Sequence, residues 1–132
     1  MKKKYEFRKR DVFFLKAVAH PFFLNLSLCA VSALVVSNII PEIWSLIPIL
    51  AILIISGPIH GFVKGDVDRP YLYNTVSAAA NTVFAIIFFV IFACLYSGWS
   101  SSGFYLVEIA SIFAHLLVCI ADSVFCFIRS RK

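Results

Sequence analysis

Charge is what this sequence has least of. Only 14% of its 132 residues are charged, against roughly a quarter in a soluble domain that must hold a wet surface. That scarcity excludes an ordinary soluble fold. A hydrophobic content of 61% and a mean hydropathy of +0.93 exclude a disordered chain. Missing too are the short motifs on which small enzymes depend: no nucleophile–base pair, phosphate-cradling glycine loop or His-Glu metal motif occurs. Cys29, Cys94, Cys119 and Cys126 lack C-x-x-C spacing and paired histidine ligands, so they read as small buried hydrophobes and no cofactor or metal is expected. There is no internal repeat, and no low-complexity stretch beyond the lysine start. A net charge of +5 and a pI of 9.2 invite a nucleic-acid reading. The basic residues lie at the ends of apolar runs, however, not on a folded face, and nucleic acid is not an expected partner.

What is present is apolar length. A bilayer core of about 30 Å takes roughly 20 apolar residues as a helix. Four segments meet that length, at about 21–40, 43–63, 75–96 and 104–128. They leave no room for a soluble domain, and predict an all-α polytopic membrane protein, a bundle of four transmembrane helices in a single membrane domain. Pro41 and Glu42 separate the first two spans and predict a tight helical hairpin, proline suiting a first helical turn and glutamate the positive helix end. The uncharged loop Ser97-Gly98-Trp99-Ser100-Ser101-Ser102-Gly103 joins the last two. A polar connection, Lys64 to Asn74, joins the middle pair.

All twelve cations precede the first span, lie in the middle loop or follow the last span. The positive-inside rule therefore predicts both termini and the middle loop in the cytoplasm. Trp44, Trp99, Tyr96 and Tyr105 are then expected in an outer aromatic belt, and Tyr5, Tyr71 and Tyr73 in an inner one. The basic start resembles a secretion signal, but Lys16 and His20-Pro21 interrupt its apolar run, and the 20-residue span that follows is long enough to remain. Residues 1–20 form a basic flank, within which Tyr5 to Ala19 could make a short interfacial helix ending before Pro21 and resting on anionic lipid.

Ionisable groups inside hydrocarbon cost about 2.5–3.5 kcal/mol each at a helix centre on insertion scales. The fourth span carries three: Glu108, His115 and Asp122. Seven residues at 100° each return to within about 20° of one direction, so the three share a helix face. They are candidate proton-responsive or partner-contacting groups, since burial disfavours the charged form of acid and imidazole alike. The bland alternative is that they hold neighbouring helices by hydrogen bonds. A proton path is a third reading, and needs relays across gaps of about 10 Å along the helix. Asn25, Ser56, Asn81 and Asp122 lie at similar distances from the cytoplasmic ends of their spans and suggest a shared polar layer. In Ser56-Gly57-Pro58-Ile59-His60-Gly61, Gly57 and Gly61 have close-packing spacing and Pro58 predicts a kink or hinge. His60 and His20 read as interfacial.

The stretch Lys64-Gly65-Asp66-Val67-Asp68-Arg69-Pro70 partly resembles a membrane lipid phosphatase motif. Its Lys–Arg gap is too short and the second motif is missing, so Asp66 and Asp68 read as offsetting Lys64 and Arg69 in a solvated turn. Small multidrug exporters share the size and span number, but carry a glutamate in the first span, where this chain offers Asn25.

In length, in its Met1-Lys2-Lys3-Lys4 start and in its Phe/Ile/Ser-rich spans, the chain resembles the UgtL-type small inner-membrane proteins of enteric bacteria. That resemblance covers overall organisation and rests on no signature motif. It implies a virulence-associated, non-enzymatic regulator that promotes activation of a sensor histidine kinase in mild acid and contributes to antimicrobial-peptide resistance. Bacteriocin immunity proteins share the same gross features. The expected partners are the lipid bilayer and another integral membrane protein, with a second copy of the chain as a further candidate. A small proton-coupled transporter and an immunity protein against a pore-forming toxin stand as alternatives.

Overall fold

The computed structural model describes residues 2–65, 67–95 and 102–132, and among them every regular element is a helix. In chain order these are α1 (Lys2–Val36), α2 (Glu42–Lys64), α3 (Pro70–Leu95) and α4 (Ser102–Ser130). Each contains a stretch long and apolar enough to cross a membrane. The protein is an all-α four-helix membrane protein.

Helix ends follow local chemistry more closely than hydropathy. α1 does not run to Ile40. It closes in a Schellman turn, in which Ile39 N–H donates to the Leu34 carbonyl at 3.0 Å and Asn38 takes a left-handed φ of 59°. Pro41 caps α2 with extended dihedrals, and Glu42 occupies the first turn. Gly65, at φ 58°, stops α2 by donating its N–H to the Gly61 carbonyl at 3.1 Å. Pro70 opens α3, where its missing N–H costs nothing.

Two expectations of the sequence are corrected here. The basic flank is not a separate interfacial helix ending before Pro21; α1 passes through Pro21 without a break. Proline has no N–H to bond the Ala17 carbonyl one turn earlier, a loss that membrane helices tolerate. Asn25 Nδ2 donates to the Pro21 carbonyl at 2.8 Å, one turn beyond. The polar stretch Pro70–Asn74 is also helix rather than connection. Pro58 and Pro48 likewise lie inside a continuous α2.

α1 packs on α2 and α3, and α4 packs on α3 and α2, so the four helices form a square in the order α1, α3, α4, α2. The beginnings of α1 and α3 share one end of the bundle with the ends of α2 and α4. Lys9 approaches Asp68 there at 4.0 Å, and Lys64 pairs with Asp122. We call this the basic end and the opposite one the hairpin end.

The bundle is apolar outside and polar inside. Phe23, Ile54, Phe62 and Leu117 point outward, Phe62 with 88% of its surface exposed. An apolar cluster of Leu24, Leu28 and Ile49 sits between α1 and α2, with Val107 of α4 against it. Phe92 and Phe104 stack with centroids 4.2 Å apart where α3 meets α4 near the hairpin end. Between these apolar contacts runs a core of His, Asn, Ser and Glu. Lipid tails are as apolar as leucine, so hydrophobic burial alone would not hold such helices together; packing and interhelical hydrogen bonds do. Gly57 has Val118 Cγ2 at 3.6 Å from where its Cβ would stand, an ordinary contact, and Gly61 faces open space. Their spacing does not mark a backbone-to-backbone approach.

Of the expected aromatic belts, Trp44, Tyr105 and Tyr71 are exposed, whereas Tyr73 is fully buried inside the bundle. Tyr5, Tyr96 and Trp99 lie outside the described side chains.

Candidate functional site

Each helix turns one stripe inward. On α2 the stripe is Ser56, His60 and Lys64, four residues apart; on α3 it is Tyr73, Asn74, Ser77 and Asn81. α4 contributes Glu108, Ser111, His115 and Cys119, and α1 contributes His20 and Asn25, all buried. These spacings of three and four place each set on one helical face. Together they build a polar column along the bundle axis.

At the basic end, Lys64 donates to Asp122, and its Nζ also lies 3.2 Å from Cys126 Sγ. This pair is largely enclosed, with 7% and 18% of the side chains exposed. A buried pair stands only if its remaining hydrogen-bonding capacity is met. Asn74 helps to meet it: its Nδ2 donates to Asp122 Oδ2 at 2.8 Å and to Ser123 Oγ at 2.9 Å. Ser123 in turn donates to the Cys119 carbonyl at 2.8 Å, so its oxygen is free to accept. Asp66 lies outside the described residues. Lys64 is thus not a solvated-turn cation offset by Asp66 and Asp68; it is folded inward against α4.

One step deeper, Asn74 Oδ1 lies 2.8 Å from His60 Nε2. The two amide protons are already committed, so the oxygen must face the imidazole and Nε2 must be the protonated nitrogen. His60 meets His20 and His115 there, with ring centroids 5.8 Å and 5.4 Å away; His20 and His115 are 5.4 Å apart. All three histidines of the chain therefore converge from α1, α2 and α4. His115 Nε2 lies 2.9 Å from Ser77 Oγ.

Toward the hairpin end, Asn25 Nδ2 donates to Asn81 Oδ1 at 2.8 Å, and Asn81 Nδ2 reaches the Ser111 carbonyl at 3.3 Å. Ser56 is buried with no hydrogen bond to its hydroxyl. Asp122 does not belong to this layer, as its distance from the end of the apolar run suggested. α3 is helical from Pro70, which sets Asn74 at the depth of Asp122 and Asn81 two turns further in, level with Ser111. Beyond the layer lies Glu108, 4% exposed, with neither carboxyl oxygen hydrogen-bonded.

Beside Glu108, between the hairpin-end halves of α2 and α4, is a groove of about 680 Å³. Ile49, Leu53, Phe104, Val107 and Ala110 line it, with the exposed Ile43 and Leu106 at its lip.

The sequence reading missed His20, His60, Asn74, Tyr73 and Lys64 as interior groups. Their signal was present as stripes of polar or small residues spaced by three and four on every helix. No family model, curated protein or solved structure matches the chain.

Proposed function

We propose that the chain is a non-enzymatic accessory protein of a bacterial inner membrane, which binds another integral membrane protein and modulates it in response to acid. Glu108 carries this reading. A carboxyl group enclosed by protein, with no donor to either oxygen, changes its surroundings most when it gains or loses a proton. Val107 and Phe104, next to it and one turn before it, line the lateral groove, so a rearrangement at Glu108 reshapes that groove. An apolar membrane helix of the partner is the occupant that suits its lining. The ionisable groups facing Glu108 are few. On α1 the same half of the bundle holds the half-buried Cys29, Glu42 on α2 lines the groove, and the described hairpin-end half of α3 offers only the exposed Cys94. Resemblance to UgtL-type proteins adds the expectation that the partner is a sensor histidine kinase and that the outcome includes antimicrobial-peptide resistance. In this reading both termini lie in the cytoplasm, because all twelve cations belong to the basic end of the bundle or its flanks. Glu108 then lies in the outer half of the membrane.

Photo-crosslinking tests the proposal. A photoreactive residue at Leu106, in cells held at neutral and then mildly acidic pH, should capture an integral membrane protein with a yield that changes with acidity. Glu108→Gln, which stays neutral, should make the yield the same at both. Capture of lipid or self alone, or an unchanged acid response in Glu108→Gln, would overturn it.

One observation favours a second reading, a proton-coupled transporter. The gaps between Glu108, His115 and Asp122 on α4 are filled by Ser77, Asn74, Asn81 and the other two histidines from neighbouring helices. Purified protein in liposomes should then dissipate an imposed proton gradient. An accessory protein should not.

A further inference from the structure

We propose that His20, His60 and His115 form a binding site for one late first-row divalent metal ion, of which zinc is the reference case. One ring nitrogen from each lies within 4.8 Å of one from each of the others. His20 Nε2, His60 Nδ1 and His115 Nδ1 are buried and make no hydrogen bond. Three unpartnered imidazole nitrogens from three helices are costly in a membrane interior. A metal ion meets all three needs at once.

The outer shell points the same way. A metal-bound imidazole characteristically donates its other N–H to an acceptor, which fixes its tautomer and orients the ring. Asn74 does this for His60. Both its amide protons are held by Asp122 and Ser123, so its oxygen receives the Nε2 proton and leaves the Nδ1 lone pair bare. Ser77 is set to do the same for His115, with its oxygen 2.9 Å from Nε2. Asp122, Asn74 and His60 thus form a carboxylate–amide–histidine chain. Asp122 is itself paired with Lys64, so the part this chain plays is to orient His60 and fix its tautomer.

The ligand chemistry defines the class of metal. Three neutral imidazoles suit zinc, copper, nickel and cobalt, and carry none of the oxygen donors that calcium and magnesium require. Among the described residues no cysteine or carboxylate joins the group. A tetrahedral ion with bonds of about 2.0–2.1 Å needs nitrogens about 3.3 Å apart. The rings must therefore close by no more than about 1.5 Å, a shift within side-chain adjustment, and a fourth position is left for water. The site does not depend on Glu108 or on any partner.

Cobalt and zinc titrations of the full-length protein in nanodiscs, carrying a histidine-free purification tag, test the site. One equivalent of Co²⁺ should give the intense visible absorption of a four-coordinate nitrogen site, and Zn²⁺ should abolish it. His20→Ala, His60→Ala and His115→Ala should each remove the spectrum while keeping wild-type helical circular dichroism. Asn74→Ala or Ser77→Ala should retain the spectrum with affinity weakened about 10–100-fold. If a histidine variant fails to fold, the wild-type titration and the two outer-shell variants still decide. No stoichiometric Co²⁺ spectrum in folded wild type, or one indifferent to Asn74 and Ser77, would overturn the proposal.

Discussion

At the scale of single residues, the molecule depends on polar groups that have found partners across helices. Lys64 and Asp122 show how much is at stake. Removing one member of a buried pair leaves an uncompensated charge and costs about 3–5 kcal/mol, whereas replacing both by apolar residues of similar volume is often neutral or stabilising. Lys64→Ala should therefore lower the thermal unfolding midpoint in detergent markedly. Lys64→Met combined with Asp122→Leu should recover most of the loss, because Asn74 keeps Ser123 as an acceptor for its amide. Thermal denaturation followed by circular dichroism would show this as strong non-additivity; simple addition of the two single effects would argue against a buried pair. Interhelical hydrogen bonds such as Asn25 to Asn81 are individually smaller, averaging about 0.6 kcal/mol in membrane proteins. They set register more than they set stability.

At the scale of elements, each helix is long because its hydrogen bonds do not need apolar side chains. Apolar runs made the existence and number of the helices legible, since lipid contact demands them. Their ends were less legible. Hydropathy marks where side chains meet lipid, and Lys9–Lys16, which carries four charges, and Pro70–Asn74 are helical outside the apolar runs. Asn81 reads as level with Asp122 for that reason, since hydropathy starts α3 at Thr75 whereas the helix begins at Pro70. Helix termination, by contrast, rests on backbone conformation. Asn38 holds φ 59° between α1 and the hairpin, a region that costs a residue with a Cβ about 1–2 kcal/mol. Asn38→Gly should leave stability unchanged or raise it slightly. Asn38→Val should lower it by about that amount, as read from thermal midpoints of the two variants. Equal behaviour of the two would contradict the left-handed turn.

At the scale of the whole molecule, a square of four helices with an apolar exterior brings together residues that no single segment relates. His20 and His60 each stand near an apolar run's end, and each alone reads as an interfacial histidine. Only packing of α1 against α2, with α4 across from α1, carries both rings inward to His115. The α4 stripe was visible from its spacing of seven because it lies within one helix. The histidine cluster was not, since no sequence distance encodes a meeting of three helices. Charge distribution also acts at this scale. In a cysteine-free background, Ser37→Cys at the hairpin end should react with a membrane-impermeant maleimide added outside intact spheroplasts. Ser130→Cys at the basic end should react only after lysis. The reverse pattern would contradict the proposed orientation.

The convergence of the three histidines is the central claim, and the chain's histidine content makes it directly measurable. Protein labelled with ¹³C and ¹⁵N only at histidine, in lipid bilayers, should give three ring spin systems by solid-state NMR. With centroids 5.4–5.8 Å apart, cross-peaks should connect every pair. Three systems without inter-residue cross-peaks, with His20 and His60 exchanging freely with water as interfacial side chains do, would contradict it.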